Sequence, residues 1–401
     1  MPEISVAHFK IPLVLFNPNH LILNMLKQFS SWKARVLLDF ISHLMMSCAI
    51  ADSIDKPKKE PHWTLSIETI ALKRSNDSVS QALVSSLPGN STTFEQTPLS
   101  GGTEIFNSNQ FDQSLAVGPK INLNYLDNSG VGLDISYFNV MNLNATKTIG
   151  PEQSPNWYVM KAPGTFPAFW QTQDFPYQGM TWGSTTSLHS AETNIKSTAS
   201  KDFHILAGAR WLQLNDSLVG SLTPGDHYEP NWKSSGSCGA TPFLTEINNI
   251  CNGLLAANSY PPFWTTRTSN NLFGLQAGAE GTLFKHRRFS LDGMLKAGAY
   301  INHAKQSDWV SMAKVMYSSS ATVNRAAFVG DVTIKLKYLI TQGLAIKLGY
   351  EFLWLDNISL APGQISQTYS GQNPTSMIAT GVNTGSNILF QGGTLGLEYT
   401  F

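Results

Sequence analysis

Serine, histidine and aspartate are the residue types from which hydrolytic sites are built, and this chain has all three in quantity. It has neither a Gly-x-Ser-x-Gly elbow nor a His-Glu-x-x-His helix motif. His189 and His204 fall in neighbouring predicted strands, and ordinary hydrogen-bonded histidines are the simpler reading. The glycines of "GLQAGAEG" lack the strand-to-helix context of a phosphate loop; letting strands curve is their simpler role. Cys48, Cys238 and Cys251 form no CxxC or Cys/His ligand set, so no metal or other cofactor is expected. Cys238 and Cys251 share one Gly/Ser/Asn-rich segment and suit a local disulfide in an oxidising compartment.

The informative chemistry is in where the charges fall. Glu192, Lys196, Arg210, Glu280, Asp292, Lys296, Asp331, Lys335, Lys347, Glu351 and Glu398 all occupy one parity of alternating segments, as do Glu68, Lys120, Asp134 and Lys337. The opposite parity is apolar. In "LAIKLGYEFLW", for instance, Leu344, Ile346, Leu348, Tyr350, Phe352 and Trp354 face away from Lys347 and Glu351. A period of two is the signature of a strand with unlike faces. The two signs nearly balance, so in a narrow barrel they can pair and fill the interior; in a wider one they would form a selectivity ring.

The elements that must position these charges are ten alternating segments, from "HWTLSIETIALKR" (62–74) to a closing strand that starts near Ile388 and runs to Phe401. They exceed ordinary sandwich strands and suit a tilted transmembrane strand of about 9–11 residues. Tight turns fall at "DNSG" (127–130), near "STASK", at "KHRR" (285–288) and at "TQG". Between them lie long segments at about 75–111, 142–182, 217–270, 305–324 and 359–387. Short and long alternate, as in an outer-membrane barrel with short periplasmic turns and long external loops. The predicted fold is therefore all-β: a transmembrane antiparallel up-and-down barrel of ten strands, or twelve if segments within 142–182 pair. Its apolar parity would face lipid, and Phe401 would end the last strand at an interface girdle, as an assembly signal.

Composition agrees. Only 13% of residues are charged, against about 25% in average soluble chains. Zero net charge argues against nucleic acid. From Met25, three cations (Lys27, Lys33, Arg35) precede "VLLDFISHLMMSCAIA", which closes on Ala49-Ile50-Ala51. That is the layout of a signal peptide. The organisation read from sequence is thus an upstream extension plus signal peptide (1–51), a short linker (52–61) and a barrel domain (62–401).

"VGLDISYF", "LHSAETNIK", "ILAGARWLQLND", "NNLFGLQAGAEGTLFKHRRFSLDGMLKAGAYINHA" and "LAIKLGYEFLWLDNI" resemble the outer-membrane barrel family expanded in planctomycetes. The most telling stretches are Leu188–Glu192 and Ala207–Leu212. The resemblance covers strands from Trp63 onward but not the loops. It implies an outer-membrane barrel and no particular ligand. The expected function is a surface or structural barrel with no catalytic site, whose long extracellular loops contact an unknown ligand or surface. The alternative is a narrow porin-like diffusion channel for small polar solutes. Expected partners are outer-membrane lipids and the barrel-assembly machinery, and the expected location is the cell outer membrane.

Overall fold

A computed structural model describes residues 62–75, 80–87, 103–149, 157–161, 174–177, 180–200, 202–222, 260–313, 315–370 and 377–401. The proposed export segment, the linker before His62, and Cys48, Cys238 and Cys251 lie outside them, as do most of the aromatic loop near 162–179 and of the 217–270 segment.

Strands are numbered along the chain. Ten of them close an antiparallel barrel: β1 (His62–Arg74), β4 (Ala116–Leu126), β5 (Val131–Ile149), β8 (Met180–Ser200), β9 (Phe203–Leu222), β10 (Tyr260–His286), β11 (Phe289–Ala313), β12 (Val315–Leu339), β13 (Leu344–Ile358) and β16 (Ser386–Thr400). Each pairs with its chain neighbours in the set, and β1 with β16 closes the ring. At that seam the backbone amides of Trp63 and Phe401 each donate to the other's carbonyl at 2.9 Å. The pairing therefore runs to the last residue, leaving no open edge for hydrocarbon to meet.

Four short strands, β2 (Ala82–Leu87), β3 (Thr103–Asn107), β6 (Trp157–Lys161) and β7 (Asp174–Tyr177), form a separate sheet in the order β3-β2-β6-β7. The segments within 142–182 thus pair outside the barrel wall, and the twelve-strand alternative falls. A two-stranded ribbon joins β14 (Thr368–Ser370) to β15 (Met377–Ala379).

The tight turns stand where the alternation predicts. At 127–130, Asp127 accepts from Ser129 Oγ and the Val131 amide, and Gly130 takes a φ of 81°. At 285–288, Arg287 takes a φ of 51° between paired His286 and Phe289.

One expected loop does not exist. Residues 305–324 continue the β11–β12 ladder, from Lys305 opposite Thr322 to Met312 opposite Val315. There the outward positions are Lys305 and Ser307 and the inward ones include Gln306 and Asp308, so neither parity is apolar and the period-two signal vanishes while the strand persists. β10, β11 and β12 reach 27, 25 and 25 residues, more than twice the ~9–11 a tilted span needs. The barrel wall therefore continues beyond any lipid band at the end carrying the long connections.

The outward face divides accordingly. From the turn end upward it carries exposed apolar residues on every side, among them Ile67, Ile121, Ile135, Ile195, Leu275, Leu336, Leu348 and Leu395. An exposed apolar band encircling a protein marks a surface made for lipid. Aromatic pairs edge it. Trp63–Tyr125 (4.8 Å) and Phe289–Tyr338 (4.7 Å) lie near the turns, and Phe328–Trp354 (5.4 Å) toward the loops. Phe401 stacks on Tyr399 within the turn-side edge.

Candidate functional site

The lumen is where the predicted charges meet, and it is built in layers. Nearest the turns is an ionic layer. Lys347 joins Glu68 (2.9 Å) and Glu398 (3.0 Å), and Lys337 joins Glu398 (2.5 Å) and, more loosely, Asp292 (3.9 Å). Lys196 spans Glu280 (2.6 Å) and Asp134 (3.4 Å). Deeper, Lys296 lies between Glu192 (2.5 Å) and Asp331 (3.4 Å), and Arg210 donates to Asp331 at 3.1 Å. Lys120 on β4 contacts Glu351 on β13 across two intervening strands. Lys335 shares this layer but forms no ion pair within 4.0 Å among the described residues.

Some of these links, such as Lys296–Asp331 and Lys196–Asp134, tie adjacent strands. Lys347–Glu68, Lys337–Glu398, Lys196–Glu280, Lys296–Glu192, Arg210–Asp331 and Lys120–Glu351 join strands that are not neighbours in the wall and so cross the interior. Gln276 extends the web, donating to Glu192 Oε2 and Asn194 Oδ1 at 2.8 Å each while accepting from the Tyr300 hydroxyl at 3.1 Å. Burying such charges is tolerable only when they are paired and hydrogen-bonded.

Above the ions the inward parity turns apolar, contrary to the expectation of a polar lumen throughout. Ile70 and Leu72 on β1, Phe138 and Val140 on β5, Leu188 on β8, Leu212 and Leu214 on β9, Leu272 on β10, Tyr300 on β11, Val329 on β12, Leu353 and Leu355 on β13, and Ile388 and Phe390 on β16 form one cluster. Most of these side chains have no accessible surface. The sequence carried a trace of this layer: in β1 the apolar positions jump from Leu65 and Ile67 to Ile70 and Leu72, changing parity mid-strand. The reason is physical. Beyond the lipid band the outside must be polar, so the wall's apolar residues must move inward. Bulges at Asn142 (φ 63°) and Asn357 (φ 60°) then shift the inward register, bringing Leu143 and Ile358 into the cluster. Asparagine tolerates this left-handed conformation better than most residues.

A plug closes the loop end. The 3-10 helix Ala361–Gln367 and the residues before it were expected to belong to an external loop; Ser359 to Ile365 are instead buried. Asp216 on β9 accepts from Arg74 Nη1 (2.6 Å), from Thr186 Oγ1 (2.7 Å) and, through its other oxygen, from the Ala361 amide (2.9 Å). Asn270 on β10 accepts from the Ser359 amide and donates to the Ser359 carbonyl, both at 2.7 Å. Thr268 donates to that same carbonyl at 3.0 Å. Gln364 then donates to Asn383 O and accepts from its amide, at 2.7 and 2.8 Å, folding the return segment over the plug. None of Arg74, Asp216, Asn270 or the plug was singled out by sequence reasoning, because each reads alone as an ordinary polar residue. Higher still, Trp182 and Trp264 pack edge-on (6.1 Å) over Gly220, where a Cβ would meet both indoles within about 3 Å.

The two histidines do not share a site. His189 faces outward opposite Gln213, whereas His204 lies on the inward parity near the turns, its Nδ1 3.1 Å from Thr198 Oγ1. Among the described residues no group of acidic, histidine or cysteine side chains could hold a metal ion.

No family model and no curated protein matches the chain. Solved structures similar in outline include the outer membrane protease OmpT of Escherichia coli (12% identity, TM-score 0.43, covering 88% of this chain and all of that one). The translocator domain of the autotransporter NalP from Neisseria meningitidis follows at 8% and 0.31, covering 92% of this chain and 96% of that one. The toluene transporter TodX of Pseudomonas putida matches at 9% and 0.28, covering 88% and 92%. Likeness at this level leaves the architecture resting on the strand register itself.

Proposed function

We propose that the chain is an outer-membrane barrel of structural or surface-contact function, with a lumen closed to solutes and its contacts made by the wall and sheet beyond the membrane. The observation that carries this reading is the apolar layer. Its members come from all ten wall strands, and most have essentially no accessible surface. An aqueous path needs groups that can replace an ion's or solute's hydration, and an apolar constriction of this kind is dewetted. The ionic layer below it and the plug above it add two further barriers. A ten-stranded barrel also stands near the narrow end, where side chains fill the interior.

The outer-membrane location rests on the encircling apolar band and its aromatic edges. No described helix is long and apolar enough to cross a membrane, so the strands are what would span it. Beyond the band, the sheet β3-β2-β6-β7 and the long strands β10–β12 offer the surface on which contacts outside the cell would be made.

Planar-bilayer recording of the refolded protein tests the closed lumen. Wild type is expected to give no resolved conductance steps. Regular steps of constant size in small-ion salt would overturn the reading in favour of a narrow diffusion channel.

A further inference from the structure

The outward surface immediately above the apolar band differs from side to side. On β1 the cation at this level, Lys73, is neutralised by Asp112 at 2.8 Å. On β10 and β11, Arg267 and Lys305 also face outward and are exposed, yet neither has an ion pair or side-chain hydrogen bond among the described residues. In the register Arg267 lies opposite Ser307 and Ser269 opposite Lys305, so the two cations are diagonal neighbours, with Cα atoms roughly 7–8 Å apart. They line a shallow depression of about 360 Å³ whose other walls include Ser187, Asn215 and Ser217. The carboxylates of the same strands are turned inward: Asp216 is committed to Arg74 and the plug, and Asp308 is buried.

We propose that this surface binds the phosphate-bearing headgroup of a lipid in the outer leaflet, with Arg267 and Lys305 as its cationic contacts and the serine and asparagine side chains as hydrogen-bond donors. The inference rests on the membrane reading given above.

Three observations point to lipid. Directly below on the same two strands, exposed Phe273 and Leu275 and half-buried Ile301 belong to the apolar band, so an acyl chain lying there has its headgroup toward the cations. The height fits for Lys305, the lower of the two cations. Lys305 is four residues above Ile301, or ~13 Å along a strand and ~10 Å along the normal at a ~40° tilt. The headgroup zone extends ~5–8 Å beyond the hydrocarbon, and long cationic side chains reach back toward it. Finally, two cations with no ion pair among the described residues, set among neutral polar side chains, match the charge and acceptor oxygens of a phosphate.

The test compares lipid retention by native mass spectrometry. All proteins carry K285Q/R287Q/R288Q, which removes the lysine and arginines of the turn at the opposite end of the barrel. The parent is compared with R267Q/K305Q and with K73Q, each first shown to be folded by its shift on boiling in a gel. The parent and K73Q are expected to retain phosphatidylglycerol over phosphatidylcholine, and R267Q/K305Q to bind phosphatidylglycerol roughly tenfold more weakly, as loss of two interfacial cations implies. Equal retention by all three proteins would overturn the proposal, as would an equal loss in K73Q. Millimolar inorganic phosphate displacing the lipid from the parent would overturn the lipid assignment in favour of a soluble anion. Failure of the gel shift in the parent would instead count against the barrel-in-membrane reading itself.

Discussion

Asp216 Oδ2, on the barrel wall, accepts a hydrogen bond from the backbone amide of Ala361 at 2.9 Å, while Oδ1 of the same carboxylate takes Arg74 at 2.6 Å. One side chain thus neutralises a buried cation and fixes the start of the plug. Replacing Asp216 with alanine leaves Arg74 buried and unpaired, which costs about 3–5 kcal/mol. The expected result is a lower temperature for the folded-to-unfolded shift on a heat-modifiability gel and faster proteolysis near residues 359–367. A variant indistinguishable from wild type in both assays would show that the plug is held by other contacts.

The ionic layer gives a sharper contrast. Arg210 is hydrogen-bonded to Asp331 and Ser190 and sits 3.8 Å from Glu192, all inside the wall. Arg210→Met leaves Glu192 and Asp331 to share Lys296, with one buried negative charge in excess among the three, and is expected to destabilise by about 3–5 kcal/mol. In the double variant R210M/D331N part of that loss should return, because fewer charges are left unmatched. Urea titration in detergent measures both, and additivity of the two single losses would refute the coupling.

Packing in the apolar layer sets a separate expectation. Leu353 is fully buried in the cluster that includes Leu355 and Phe390. Leu353→Ala should cost about 2–5 kcal/mol through lost burial and the cavity left behind, yet leave the bilayer silent, since neighbouring strands still close the level. Conductance steps appearing in this single variant would mean that the layer is thinner than the burial implies.

At the exposed turn between β4 and β5, acid has a specific target. Ser129 Oγ donates to the Asp127 carboxylate, with the Val131 amide also donating, and together these hold its titration below the usual aspartate range. A lowered carboxylate contributes stability that is present above the unfolded value, near pH 4, and is lost as pH falls through the lower folded value. Direct carboxyl titration by NMR should give Asp127 a midpoint below that of an unperturbed aspartate, moving back toward it in Ser129→Ala. An unchanged midpoint in that variant would remove Ser129 as the cause.

The last residue offers one more test. Phe401 exchanges two backbone hydrogen bonds with Trp63 and stacks on Tyr399. Deleting it should leave the Trp63 amide and carbonyl unpaired at the seam and slow assembly, seen as a smaller heat-modifiable fraction in pulse-labelled membranes. Wild-type kinetics would separate the residue from any role in assembly.

How much of this was legible in the sequence follows from particular positions. The alternation of Leu348, Tyr350 and Phe352 against Lys347 and Glu351 determined which parity faces lipid, because a strand inverts its side chains every residue and a membrane accepts only one kind. The turns at 127–130 and 285–288 determined the order of the strands. With ten strands in an up-and-down order, these local signals sufficed for the barrel. Tertiary structure alone decided that Lys120 would meet Glu351 two strands away, since partners across a lumen have no fixed separation along the chain. It also decided that 305–324 is wall, because a strand with two polar faces has no periodicity to read. The plug belongs to the same class. Ala361, Pro362 and Gly363 resemble any surface loop until the barrel closes and presents Asp216, Thr268 and Asn270 as a ring of partners; what the loop does depends on a mouth that exists only once the first strand has met the last.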